Sequence, residues 1–220
     1  MTQIEFWQQR WQEDSQPWDL GGPHQASAEF VKKLEGLHVP LKGSKMHIPG
    51  CGHGHDASLF AQFGVSVDCS DIVDTAVEKA RAIAQKNWPG EIYNKVQFHV
   101  RDALSATQNT ELAEQHNFVF DRAFWCAIEP RMREQFIAGV LAQLKPGGFF
   151  LTIPFTELKV EKGPPFALSI DEIKHALVAH FNLVDAWSYQ YSGDASPIIC
   201  EHAMIWQKRE TVLNGGGKQS

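Results

Sequence analysis

The organisation of the chain is set by residues 45–56, Lys45-Met46-His47-Ile48-Pro49-Gly50-Cys51-Gly52-His53-Gly54-His55-Asp56. An apolar run ends at Ile48 and Pro49, glycines follow at alternate positions, and a helical pattern of Leu59, Phe60 and Phe63 begins directly after. The order is strand, glycine turn, helix. Glycine permits positive φ and close backbone approach, so the turn can bring main-chain N–H groups against a ligand at the helix N-terminus. A nucleoside is the natural candidate. The dinucleotide fingerprint requires a third glycine three places after the second, where His55 stands, and this argues against a pyrophosphate. A Gly-x-Gly-x-Gly turn with an acid closing the next strand, here Asp71, suits S-adenosylmethionine instead, because its two ribose hydroxyls can share one carboxylate. An ordinary glycine turn of an α/β protein is the alternative.

On the N-terminal side, Phe6, Trp7, Arg10 and Trp11 fall at helical spacing, and 14–17 (Asp-Ser-Gln-Pro) breaks the pattern before Trp18-Asp19-Leu20-Gly21-Gly22. The tryptophans either pack the helix on the core or form an aromatic lid, whose ring faces would attract the sulfonium cation of S-adenosylmethionine. A second helix is expected over 24–34, with Phe30, Val31 and Leu34 on one face.

On the C-terminal side, 64–71 is a short strand ending in Asp71, at a carboxyl end where open parallel sheets bind ligands. Asp68 competes for that role, but in mid-strand it must face a polar neighbour. Asp74 is expected to cap a helix through Ala84. Strands follow at 95–100, closed by Asp102 as an adenine contact or a plain helix cap, and at 118–124. There Asp121 and Arg122, a charged pair after buried aromatics, either face a cleft or satisfy each other. A helix over 132–144 stops at Lys145-Pro146-Gly147-Gly148, and a fifth strand covers 149–153. Gly163-Pro164-Pro165-Phe166 is a stiff loop, Ser169 with Glu172 makes a capping box, and strands near 183–191 and 199–207 flank a turn at 192–194.

At 220 residues, 43% hydrophobic and with a net charge of −6, the chain fits one α/β domain and lacks the basic excess of a nucleic-acid binder. No apolar run reaches the ~18 residues of a membrane span. The four cysteines (Cys51, Cys69, Cys126, Cys200) form no Cys-x-x-Cys pair and read as reduced thiols. A cytoplasmic monomer acting on a small molecule is expected. His53-x-His55-Asp56 hints at a metal, yet no third partner is evident, and none is expected. Cys126 after a strand reads as a small buried hydrophobe rather than a methyl carrier.

Alternating strands and helices ending in an adjacent strand pair predict a doubly wound, mostly parallel seven-stranded Rossmann-like sheet with one antiparallel edge strand. Residues 1–209 form the single expected domain, with 1–43 as an N-terminal helical lid and 210–220 as a flexible tail.

Several stretches together resemble the thiopurine S-methyltransferase superfamily, which includes thiol and halide methyltransferases, over roughly residues 5–207. Phe6-Trp7-Gln8-Gln9-Arg10-Trp11 and Asp121-Arg122-Ala123 are similar to the thiopurine branch. Pro17-Trp18-Asp19 with Gly21, 49–56, and Cys126-Ala127-Ile128-Glu129-Pro130 are similar to the thiol/halide branch, and Gly163-Pro164-Pro165-Phe166 to both. The resemblance implies an S-adenosylmethionine-dependent methyltransferase. Trp7, Trp11 and Trp18 match positions that close over the cofactor, Gly50 the one at its amino-acid end, Asp71 the ribose acid, and Asp102 and Ala103 the adenine contacts. Arg122 matches the arginine beside cofactor and acceptor, and is the expected catalytic residue. The thiol/halide branch often carries tyrosine where Arg122 and Phe166 stand, which speaks against halide methylation. The expected acceptor is a small soft nucleophile, a thiol first. Halide or selenium/tellurium methylation, a non-catalytic S-adenosylmethionine-binding protein and an NAD-dependent oxidoreductase are the alternatives.

Overall fold

A computed structural model describes residues 2–159, 162–191 and 197–210. The expected turn at 192–194 and nearly all of the expected tail lie outside these residues. Two helices, α1 (Gln3–Gln12) and α2 (Gln25–Gly36), precede the sheet strands β1 (Lys45–Pro49), β2 (Ser66–Asp71), β3 (Val96–Val100), β4 (His116–Arg122), β5 (Leu144–Ile153), β6 (Phe155–Leu158), β7 (Phe181–Gln190) and β8 (Ile198–Lys208). Between them lie α3 (His55–Gln62), α4 (Asp74–Asn87), α5 (Gly90–Tyr93), α6 (Arg133–Gln143) and α7 (Ile170–Leu177). No helix among the described residues is long and apolar enough to cross a membrane.

The sheet runs β3-β2-β1-β4-β5-β8-β6, with β7 also paired to β8. From β3 to β5 all pairs are parallel. Their strands are covered on both faces, as parallel sheets require. Period-two alternation divides the core: Phe118 and Phe120 of β4 pack with Phe30, Phe60 and Val77 under α2, α3 and α4, whereas Val119 packs with Phe136 and Val140 of α6.

The doubly wound fold is as expected, with two differences in the strands. Eight strands replace seven because Pro154, which has no N–H, interrupts one line of chain into β5 and β6; both segments pair with β8, at Phe149–Thr152 and Phe155–Leu158. The antiparallel strand is also one place in from the edge. β8 is buried along most of its length, while β7 is mostly exposed or half-buried, so the hairpin returns β8 between β5 and β7.

Caps hold the helices that frame the carboxyl ends. Thr2 and Glu5 form a reciprocal capping box at α1, with bonds of 3.3 and 2.7 Å. Ser169 accepts from Glu172 N as expected, but the Glu172 carboxylate turns to Arg133 rather than completing the box. Asp74 is the first residue of α4 rather than its cap: Val73, which has no side-chain acceptor, occupies the cap position, and Asp74 Oδ1 accepts from Thr75 N at 2.7 Å within the first turn.

Candidate active site

Gly50, Gly52 and Gly54 between β1 and α3 all have positive φ, at 57°, 53° and 73°. A Cβ on Gly50 would lie 2.2 Å from Phe124 Cδ2, and one on Gly54 2.9 Å from Phe98 Cε1. The turn therefore requires glycine for both its dihedrals and its closeness. Gly50→Ala should lower unfolding free energy by about 2–5 kcal/mol in urea titrations, from left-handed strain and from pushing Phe124 aside.

Asp71 ends β2 with its carboxylate beside this turn. Oδ1 accepts from Val73 N at 3.0 Å and Oδ2 from Gly52 N at 3.1 Å. Burial raises its pKa above the ordinary value, and the backbone donors oppose the rise. Asp68 faces a polar neighbour, as a mid-strand acid must: it pairs with His116 at 3.2 Å and takes no part in the site. At the end of β3, Asp102 accepts from Leu104 N at 2.9 Å and caps the 3-10 helix Ala103–Gln108, so it is a helix cap as well as a wall residue.

At the end of β4 the charged pair divides. Asp121 is fully buried and accepts from Phe124 N and Trp125 N at 3.0 Å and from Thr152 Oγ1 at 2.6 Å; burial pushes its carboxyl up to about 6. It shapes the turn and does not line the cavity. Arg122 lines it, on a strand followed by Ala123 at φ 62°. Its Nη1 donates to Trp18 O at 3.1 Å, its Nη2 lies 3.7 Å from Glu201 Oε1, and its Nε is buried without a partner. Cys126 is buried, donates to Ala123 O at 3.2 Å, and has its thiol pushed far up by burial, which keeps it neutral and inert.

The segment before β1 closes over these strand ends. Trp7 and Trp18 meet edge to face at 5.4 Å, Trp11 packs with Val73 and Ala76, and a Cβ on Gly52 would lie 3.8 Å from Trp11. Trp7, Trp11, Trp18, Gly50, Asp71, Asp102, Ala103 and Arg122 all line one cavity of about 350 Å³. Asp68, Asp121 and Cys126, which the sequence also singled out, do not line it.

Other features are not apparent from the sequence reading above. Arg101, Ile72, Phe124, Met132 and Phe155 also line the cavity. Behind it, the buried Glu201 bonds His24 Nε2 at 2.8 Å and Tyr191 Oη at 2.6 Å; burial opposes its charge, but these partners with Arg122 hold its pKa below the ordinary value. A glutamate inside the apolar run of β8 was the available signal, since a buried charge requires partners. Asp19 meets His53 and His55, supplying the third group that the sequence did not reveal.

The profile of the thiopurine S-methyltransferase family matches residues 2–196. The chain belongs to the thiopurine S-methyltransferase family. Among its relatives, the probable thiol methyltransferase 2 of Arabidopsis thaliana is 31% identical over 172 residues, 78% of this chain and 71% of that protein. The thiopurine S-methyltransferase of Vibrio cholerae is 27% identical over 182 residues, 79% of this chain and 80% of that protein. In fold, the chain matches the 1,6-didemethyltoxoflavin-N1-methyltransferase of Burkholderia thailandensis, solved with S-adenosylhomocysteine, with a TM-score of 0.70 at 18% identity, covering 94% of this chain and 87% of that one. As a thiopurine S-methyltransferase family member, the protein is an S-adenosylmethionine-dependent S-methyltransferase.

Proposed function

We propose that the cavity holds S-adenosylmethionine with its ribose on Asp71, its adenine by Asp102 and Ala103 and its amino-acid end at Gly50, and that it methylates a small, largely apolar thiol. The observation that carries this reading is the single cavity shared by the glycine turn, Asp71 and Arg122. The residues present fit the cofactor: Gly50 and Gly52 line the cavity without side chains, and the Asp71 carboxylate lines it beside them. When bound, S-adenosylmethionine would supply an electrophilic methyl to an in-line thiolate, with S-adenosylhomocysteine as the neutral leaving group.

Such a transfer needs alignment and exclusion of water more than covalent help from the protein. Trp7, Trp11 and Trp18, on a lid within 1–43, line the cavity and would offer aromatic surface to the sulfonium while keeping water out. Phe124, Met132 and Phe155 offer apolar walls to an acceptor, and Arg122 stands among them as a cation with a buried, unpartnered Nε. A guanidinium in such a place favours the thiolate over the thiol and fixes its position. We read residues 1–209 as one catalytic domain that works as a monomer in the cytoplasm; its four free cysteines suit a reducing compartment.

Purified protein incubated with S-adenosylmethionine and a panel of small thiols, thiopurines, iodide, thiocyanate and selenide should release S-adenosylhomocysteine fastest with an aromatic or alkyl thiol. A faster halide or selenide reaction would overturn the thiol assignment, and no product with any acceptor would favour a binding protein. Cofactor binding should also depend on pH. Burial raises the pKa of Asp71 in the free protein, while hydroxyl donors favour its charged form, so binding releases a proton and affinity falls as pH drops through the raised value. Calorimetry across pH should show this fall, and Asp71→Asn should remove it.

A further inference from the structure

The side-chain cluster of Asp19, His53 and His55 has no role in the reading above. His53 Nδ1 lies 2.9 Å from Asp19 Oδ2, His55 Nε2 lies 3.1 Å from Asp19 Oδ1, and the ligand atoms of the three residues all fall within 4.8 Å of one another. We propose that Asp19, His53 and His55 form a binding site for a divalent transition-metal ion of the zinc type.

The donor set is two imidazole nitrogens and a carboxylate, which suits zinc, cobalt or nickel and leaves a fourth position for water. With metal–ligand bonds of about 2.0–2.2 Å, donors around a tetrahedral ion stand about 3.3 Å apart, so small adjustments suffice. Two further observations favour a metal over a carboxylate merely bridging two rings. His55 Nε2 is buried and makes no hydrogen bond despite its nearness to Asp19, so it is a donor atom without a partner. A small cavity of about 60 Å³, adjoining the larger one along Trp18 and Gly52, is lined by Asp19, His53 and His55, which leaves room for an ion and its water. Asp56, the neighbouring acid, is committed elsewhere: its Oδ1 accepts from His24 N at 2.8 Å and from Ser27 Oγ at 2.7 Å.

The ligands come from two parts of the chain, Asp19 from the segment carrying Trp18 and the histidines from the glycine turn and the first residue of α3. An ion there joins the two, so occupancy raises the melting temperature by mass action. The test uses the reduced, cofactor-free full-length protein, so its outcome is independent of the methyltransferase reading. Zinc chloride titrated in a calorimeter should bind saturably with one ion per chain, and Co(II) in its place should give visible ligand-field bands without a thiolate charge-transfer band. Asp19→Asn, His53→Gln and His55→Gln should each weaken zinc at least about tenfold, since losing a direct ligand costs no less than losing its outer partner. No saturable binding by the wild-type protein overturns the proposal, as does a thiolate band or zinc affinity unchanged in all three folded variants. Should a variant fail to fold by circular dichroism, the wild-type stoichiometry and cobalt spectrum still decide.

Discussion

Asp71→Ala should weaken S-adenosylmethionine binding by about 10²–10⁴-fold, because two hydrogen bonds to a charged acceptor contribute on the order of 1.5–3 kcal/mol each. A carboxylate offers about four acceptor positions. In Asp71 the Gly52 and Val73 N–H groups use one on each oxygen, which leaves one on each for a sugar diol. Alanine removes both and also orphans the two backbone donors, so part of its effect is a loosened turn. Asp71→Asn separates the contributions. Its amide oxygen can still serve one backbone donor, so folding should survive while the second hydroxyl contact and the charge are lost. Isothermal calorimetry on both variants, with urea unfolding as control, is the measurement. Affinity unchanged in Asp71→Ala would move the ribose elsewhere.

Strand parity explains why this residue was legible in the sequence. Ligands of parallel sheets gather at carboxyl ends, and only an acid closing its strand can reach them. Asp68 lies earlier in β2 and pairs with His116, while Asp71 is the last residue of that strand. The same reasoning located Asp102; the Asp121–Arg122 pair stood out instead as charges following buried aromatics, and it could not be divided, because either parity was open until β4 was fixed against its neighbours. The structure gives Asp121 to the turn and Arg122 to the cavity. Contacts across long sequence separations were less legible. Nothing local in Trp18-Asp19-Leu20 indicates that Asp19 meets His53, and Glu201 acquires His24 only when β8 inserts beside β5. The edge placement of the antiparallel strand failed for a related reason: the order of the last two strands depends on where the hairpin folds back, and periodicity within each strand is silent on that.

Arg122 provides the sharpest separation of binding from turnover. Arg122→Met should lower kcat with a thiol acceptor by about 10–100-fold, the loss of one charge-assisted contact worth on the order of 1.5–3 kcal/mol, while cofactor binding stays measurable. Some loss of affinity is also expected, since Nη1 bonds Trp18 O and so helps to hold the tryptophan segment. The substitution leaves Glu201 with His24 and Tyr191 as hydrogen-bonding partners, so the buried charge is not abandoned. A purely structural arginine and one that favours the thiolate differ in their pH profiles. Without the cation the acceptor must ionise at its own pKa, so Arg122→Met should regain activity as pH rises or when a more acidic thiol is supplied. Arg122→Lys should retain part of the effect through its charge but lose the fork geometry. Steady-state kinetics across pH, with two thiols of different acidity, would decide. A kcat depressed equally at every pH and for both thiols would make Arg122 a support for the lid and leave the acceptor's charge to be handled elsewhere in the cavity.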